Sequence, residues 1–558
     1  DEINATGITG TLALTSSVDA GDITALFGKY AGTTATVDAA GMDQAQLSAV
    51  ASSTAAKVVA GGLTNLTLTD ANTADAATIS TLVGAATTDS TVLVVSTGMS
   101  AAKLNAIAAE IVEIGISGGG AATGITGDLA LTSDVTSTDM TSLFGQYTGT
   151  TATVDATGMN TAQLLVIETN VGVISANGIT GTFTIDADGD ANVDAAFITA
   201  LLGKTSAAAI VTVAAANATT AELEAISDAL SKVDNITNLT VTGTEDADEI
   251  GFLLSKATGG LVNAATMVTA DLTEVADNID NVAVDGVSNL TLTSTDASGD
   301  ISTLLGAKTA DASVLVTATS MNAAQLNAIA AEIAEINATG ITGTLALTSS
   351  VDAGDITALF GKYAGTTATV DAAGMDQAQL SAVASSTAAK VVAGGLTNLT
   401  LTDANTADAA TISTLVGAAT TDSTVLVVST GMSAAKLNAI AAEIVEIGIS
   451  GGGAATGITG DLALTSDVTS TDMTSLFGQY TGTTATVDAT GMNTAQLLVI
   501  ETNVGVISAN GITGTFTIDA DGTAAVDAAF ITALLGKTSA AATVTVAAAN
   551  ATTAELEA

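Results

Sequence analysis

Leu63-Thr64-Asn65-Leu66-Thr67-Leu68-Thr69 alternates apolar and hydroxyl-bearing side chains around a single Asn. Leu66 and Leu68 fall on one side of an extended chain and Thr67 and Thr69 on the other, the period-two pattern of a half-buried β-strand. The same phrase, apolar-[Thr/Ser]-[Gly/Asn] followed by an apolar-x-apolar pair, recurs along the chain. It reads Ile8-Thr9-Gly10 with Leu12 and Leu14, and Ile125-Thr126-Gly127 with Leu129 and Leu131. It continues at Phe183/Ile185, Leu239/Val241, Leu290/Leu292 and Leu345/Leu347. Parallel sheets covered on both faces read as unbroken Val/Ile/Leu runs. These strands do not, so one face is dry and the other wet.

Each strand is followed by an acidic, Thr/Ser-rich loop and a short amphipathic helix. The helix reads Ile23-Leu26-Phe27-Gly28, Ile79-Leu82-Val83-Gly84, Ile198-Leu201-Leu202-Gly203 and Ile301-Leu304-Leu305-Gly306. The i, i+3, i+4 spacing gathers the apolar residues on one face, and the Gly is expected to supply a left-handed C-terminal stop. A second strand follows, such as Thr34–Asp38 or Thr91–Val95, and then a longer helix such as Ser100–Ile114. The start of that longer helix carries Asp43, Ser100, Asn160, Thr219, Val268 or Asn322, good N-caps in all but one case. Met42, Met99, Met159, Met267 and Met321 stand just before those caps, where soft core packing explains them better than metal or redox work.

The internal repeats organise these pieces. Residues 2–225 recur as 335–558, an offset of 333 with three differences: Asp190/Thr523, Asn192/Ala525 and Ile210/Thr543. The strand phrase is spaced 54, 63, 54, 56, 51 and 55 residues within that period, the longest interval containing Gly115-Ile116-Ser117-Gly118-Gly119-Gly120, a bulge between coils. Twelve coils in 333 residues average about 28 residues each. The predicted fold is a right-handed α/β solenoid: one continuous parallel β-sheet backed by a layer of helices. Its divisions are a first large repeat, 1–333, and a second, 334–558, cut mid-pattern, which reads as a window on a longer repetitive protein. The register aligns Val213 with Val37, and so sets Ile210 facing outward and Thr543 likewise.

Composition narrows the chemistry. The 558 residues carry 57 acidic side chains against 11 basic ones, all Lys, for a net charge of −46, and they contain no Pro, Cys, His or Trp. Without His or Cys there is no ordinary zinc site, disulfide or His-activated nucleophile. A Ser-Lys dyad would have to arise by chance, and Gly118-Gly119-Gly120 is not followed by the Gly-Lys-[Ser/Thr] of a phosphate loop. The absence of Arg and the negative charge exclude nucleic acid as a partner. Every apolar stretch is interrupted well before the roughly 18–20 residues of a membrane span.

Segments such as Ala74-Asp75-Ala76-Ala77-Thr78-Ile79 and Met321-Asn322-Ala323-Ala324-Gln325-Leu326 resemble the Ala/Thr/Asp-rich repeat arrays of giant secreted cell-surface and filament proteins of cyanobacteria and marine proteobacteria. The strand-and-return layout also resembles leucine-rich repeats, without their Asn ladder. The resemblance implies export to the cell surface by a one-step pathway directed from a C-terminus. A sulfur-poor, nitrogen-poor composition suits a protein made in bulk and released outside the cell. The expected function is a non-catalytic structural repeat of an extracellular filament, surface layer or sheath, not an enzyme. The alternatives are the stalk of a secreted adhesin and, more weakly, a Thr-rich surface for ice or polysaccharide. The expected partners are further copies of the chain, laterally or end to end, with a surface polysaccharide as a second candidate.

The acidic loops are the only candidate site. Asp19, Asp22, Asp70, Asp75, Asp134, Asp139, Asp246, Asp248, Asp296 and Asp300 fall at one corner, as a solvated edge or as rows relieved by divalent cations. The richest loop is Asp186-Ala187-Asp188-Gly189-Asp190-Ala191-Asn192-Val193-Asp194. Alternating Asp oxygens about a turn Gly resemble the start of an EF-hand loop, without its closing Glu. Asp186, Asp188, Asp190 and Asp194 are therefore the candidate ligands, and Ca²⁺ the one candidate cofactor. The second copy, Asp519 to Asp527, replaces Asp190 and Asn192 with Thr523 and Ala525 and is expected to bind more weakly.

Overall fold

The computed structural model describes residues 7–86, 92–110, 124–306, 314–419, 425–443 and 457–558. The insertion at Gly115–Gly120 and the end of the helix expected to run to Ile114 lie outside the described residues. The chain falls into two compact units, Asp1–Gly286 and Val287–Ala558. Both are built from the same alternation of short parallel strands and helices.

In the first unit, the strand Leu66–Thr69 pairs with Val92–Val95, Leu66 opposite Val92 and Leu68 opposite Val94. All four of those side chains are fully buried, whereas Thr67 is exposed. Ile79, Leu82 and Val83 of the helix Ala76–Ala85 are buried as well, as are Leu104 and Ile107 of Ala101–Ala109. The wet and dry faces thus follow from alternation alone. Ile210 obeys the same register: it pairs with Thr182, points outward and is 54% exposed, as Thr543 is exposed opposite Thr515.

The expectation of a solenoid with one continuous sheet is overturned. Among the described residues the strands form ten separate parallel sheets of two to four strands with intervening helices, making repeated β/α units. The cause is the [Gly/Asn] of the strand phrase. Gly10, Asn65, Gly127, Gly181 and Asn238 in the first unit all have positive φ, as do Asn289, Gly343, Asn398, Gly460 and Gly514 in the second. Each kink precedes the strand that opens a new sheet. At Asn65 (φ 51°), Val58–Thr64 closes one sheet against Ala35–Asp38, and Leu66–Thr69 opens the next against Val92–Val95. Sequence neighbours therefore bond to different partners, and among the described residues pairing past a closing strand is limited to isolated bridges such as Leu63 to Ala86 and to the two-residue strand Ala257–Thr258 beside Asn235–Thr237.

The helix ends also differ from expectation. Gly28, Gly84 and Gly203 lie inside the last turn, and the helices give way two residues later to extended Tyr30, Ala86 and Thr205. Left-handed backbone is placed at the sheet kinks instead. No described helix is long and apolar enough to cross a membrane.

Candidate functional site

The loop from Asp186 to Asp194 leaves the strand Thr182–Asp186 and enters the helix Ala195–Lys204. Ala187 is fully buried and donates its N–H to the Ala214 carbonyl, which ties the start of the loop to the neighbouring strand. Gly189, at φ 80°, comes so close to the next segment that a Cβ there would lie 3.0 Å from the Asn217 carbonyl oxygen and 3.8 Å from Thr219 Cγ2. The loop therefore rests against the start of the helix Thr220–Asp228.

Three of the four candidate ligands are engaged in the turn itself. Asp188 Oδ1 accepts the Asp190 N–H at 3.0 Å. Asp190 Oδ1 accepts from the Asn192 backbone at 3.0 Å and from its side-chain amide at 2.9 Å. Asp194 is the N-cap of its helix and accepts the Phe197 N–H at 2.9 Å. Asp186 is exposed at the strand end. The four carboxylates do not converge, and among the described residues no three acidic side chains are grouped to hold a metal ion. In the second copy the Thr523 hydroxyl and N–H bond Asp521 and hold its carboxyl below the usual range.

The other acidic loops divide their labour. Asp75 and Asp246 are N-caps that accept from Thr78 and Glu249, respectively. Asp70 pairs with Lys103 at 2.7 Å. Asp19, Asp22, Asp134 and Asp248 are exposed, and Asp139 and Asp300 half-buried. Asp296 departs from the solvated edge: it is buried, and Oδ2 accepts the Thr293 N–H at 2.7 Å. Several lysines turn inward. Lys57, Lys204, Lys232, Lys362 and Lys537 donate to backbone carbonyls of Phe27, Ile174, Thr205, Ile336 and Ile507.

One set of functional side chains was not singled out in the sequence. Gln46, Gln163, Gln325, Gln379 and Gln496 stand at the third helical position, nearly fully buried. Each Oε1 closes a capping box, while Nε2 donates to two carbonyls of the preceding acidic loop. Gln163 reaches Ser133 O at 3.0 Å and Val135 O at 2.7 Å, and Gln325 reaches Ser294 O at 3.0 Å and Asp296 O at 2.6 Å. A Gln three residues after the N-caps Asp43, Asn160 and Asn322 was the available signal.

No protein-family model matches the chain, and no curated protein does. Among solved structures, the yeast Rad7 and Elc1 complex is similar at 11% identity over 67% of this chain and 83% of that chain, with a TM-score of 0.17. A dipeptide epimerase from Enterococcus faecalis V583 is 11% identical over 38% of this chain and 55% of its own, with a TM-score of 0.13. The O-succinylbenzoate synthase of Thermosynechococcus elongatus BP-1 is 9% identical over 39% of this chain and 50% of its own, with a TM-score of 0.10. The chain spans about half the length of these two enzymes.

These findings do not support the expected kinship, since no family model, of surface repeats or of any other kind, answers to the Ala/Thr/Asp rhythm. The resemblance to giant secreted surface proteins and to leucine-rich repeats is withdrawn. With it go the non-catalytic structural filament, sheath, adhesin-stalk and ice- or polysaccharide-surface readings, and the statement that the chain is not an enzyme. The physical reason is that small buried residues and hydroxyls on wet faces are what any amphipathic β/α repeat requires, so composition carries no ancestry. At these TM-scores the likenesses carry neither a fold nor an activity to this chain.

Proposed function

We propose that the chain acts outside the cell and associates with further copies of itself in a calcium-dependent way. The observation that carries this reading is a set of apolar side chains held in water on the outer sheet faces. Ile210 and Leu261 in the first unit are 54% and 48% exposed, and Leu315 in the second is 44% exposed. Each pairs with a Thr of the neighbouring strand, Thr182, Thr240 and Thr291. Burying such a side chain against a matching face is favourable by about 25 cal/mol per Å² of apolar area. Chains of net charge −46 repel one another, and that repulsion has to be screened or bridged before the faces meet. Exposed carboxylates at Asp19, Asp22, Asp134 and Asp248 suit weak calcium bridging, the roughly 10⁻⁴–10⁻³ M range of extracellular modules.

Sedimentation velocity of the full chain with EDTA and with millimolar CaCl₂ tests the reading. Single chains in EDTA and larger species in calcium are expected, and Ile210→Thr, the residue of the second copy, should weaken the association. A chain that stays single at every calcium and protein concentration would overturn it.

A further inference from the structure

The third helical position of Thr220–Asp228 holds Glu222, a carboxylate where five other helices hold the Gln that donates to the preceding loop. Glu222 is 2% exposed. Its Oε2 accepts the Thr219 N–H at 2.6 Å and the Thr219 hydroxyl at 3.0 Å, closing the capping box as the Gln Oε1 does elsewhere. Those two bonds leave Oε1 in the place of the amide that donates in the Gln helices.

The register says what that oxygen faces. Gln325 donates to the carbonyls 31 and 29 residues before it, Ser294 and Asp296, and the turn there is closed by Asp296 N–H to Thr293 O. Counting the same steps back from Glu222 reaches Ala191 and Val193, in a turn closed in the same way by Val193 N–H to Asp190 O. The close approach of Gly189 to Asn217 and Thr219 seats this loop against the same helix start. No side chain donates to Ala191 O or Val193 O among the described residues. By this register the second oxygen of a carboxylate that is 2% exposed faces two carbonyl oxygens, at the place where each Gln helix supplies an N–H₂ group.

We propose that a calcium ion occupies this point, held by Glu222 Oε1 and the carbonyls of Ala191 and Val193, with water completing the shell. Three oxygens of low polarisability, one of them charged, are the donor set a hard cation selects. The exposed carboxylates of Asp188 and Asp190 add negative potential at the mouth of the site without having to ligate. This ligand set is distinct from the four aspartates of the loop. It shares calcium with the reading above but stands without association.

The test is calcium binding by the full chain, followed by equilibrium dialysis and thermal unfolding at concentrations where sedimentation shows single chains. Glu222→Gln installs the amide of the other helices, so it is expected to fold, as circular dichroism would verify. It should bind one Ca²⁺ fewer per chain than the wild type, and unfold at a higher temperature than the wild type in EDTA. The double variant D190T/N192A, which copies the second repeat, should keep the ion. Hydrogen exchange of the unmutated chain should show the Val193 and Thr219 amides slowed by CaCl₂. Equal calcium stoichiometry in wild type and Glu222→Gln would overturn the proposal. So would a wild type whose unfolding temperature is indifferent to calcium.

Discussion

The phenol of Tyr30 donates a 2.6 Å hydrogen bond to the carbonyl of Gly10, the residue at which the backbone turns to φ 87° before a new sheet opens. Tyr147, Tyr363 and Tyr480 do the same for Gly127, Gly343 and Gly460, each at 2.8 Å, so all four tyrosines of the chain pin a sheet kink. The ring also needs room: a Cβ on Gly149 would strike the Tyr147 ring and hydroxyl. Tyr147→Phe should therefore cost about 1 kcal/mol, the net worth of one such bond, with the fold intact. Chemical denaturation would read it, and an unchanged midpoint would show that water replaces the phenol.

The glycines separate into two classes with opposite expected responses. Gly181 sits at φ 89°, and a Cβ there would collide with Asp155 Oδ1 and Thr157 Oγ1. Gly181→Ala should destabilise by roughly 2 kcal/mol or more. Gly203 lies in the last turn of its helix, and a Cβ there would meet nothing within 4 Å. Gly203→Ala should therefore stabilise by about 0.5–1 kcal/mol. Thermal unfolding of both variants checks the pair, and equal effects would mean that the kink is not strained by a side chain.

The strand faces were legible because alternation is local: Leu66, Thr67 and Leu68 need no partner to declare which side each takes. Sheet continuity was not legible in the same way. A single left-handed residue such as Asn65 leaves the period-two pattern undisturbed while handing the following strand to a different neighbour. The exchange of Gly with Asn at that column was the trace of it, since these two tolerate positive φ most readily. In the acidic loops the sequence showed charge but not occupation. Asp75, Asp194 and Asp246 are consumed by helix caps, and Asp296 is buried, through bonds that depend on where the next helix begins. Glu222 differs from Gln163 by one group of atoms. The difference acquires meaning only when the loop carbonyls, some thirty residues earlier in sequence, are placed opposite.

Acid should loosen the fold through the caps. Thr78 donates to Asp75 first through its backbone N–H and then through its hydroxyl, holding that carboxyl below its ordinary value, and Thr411 does so for the counterpart Asp408. Thr490 holds Asp488 down by its hydroxyl and then its N–H. A carboxyl whose folded pKa lies below its unfolded value contributes stability that is complete above the unfolded value and lost as pH falls through the folded one. Asp355 runs the other way: burial, and then the charge of Asp352, raise it, so protonating it on acidification relieves a cost. With the lowered groups in the majority, unfolding should set in below about pH 4. Asp75→Asn and Asp408→Asn keep a capping oxygen and remove the titration, so together they should shift the acid midpoint, followed by circular dichroism; an unmoved midpoint would remove these caps from the account.

Gln163 offers the converse of the calcium site. Its Oε1 accepts the Asn160 N–H at 3.0 Å, and its Nε2 donates to Ser133 O and Val135 O. Gln163→Ala removes all three bonds and leaves two loop carbonyls without that donor, a loss of roughly 2–3 kcal/mol. Gln163→Glu keeps the bond to Asn160 but sets a carboxylate oxygen against the two carbonyls, the arrangement that Glu222 has by nature. In EDTA it should be less stable than the wild type, and added CaCl₂ should recover part of the loss, whereas Gln163→Ala should gain nothing from calcium beyond what the wild type gains. Denaturation midpoints of the three proteins with and without CaCl₂ decide it. Equal calcium responses in the Glu and Ala variants would show that a carboxylate facing these carbonyls is not enough to gather the ion.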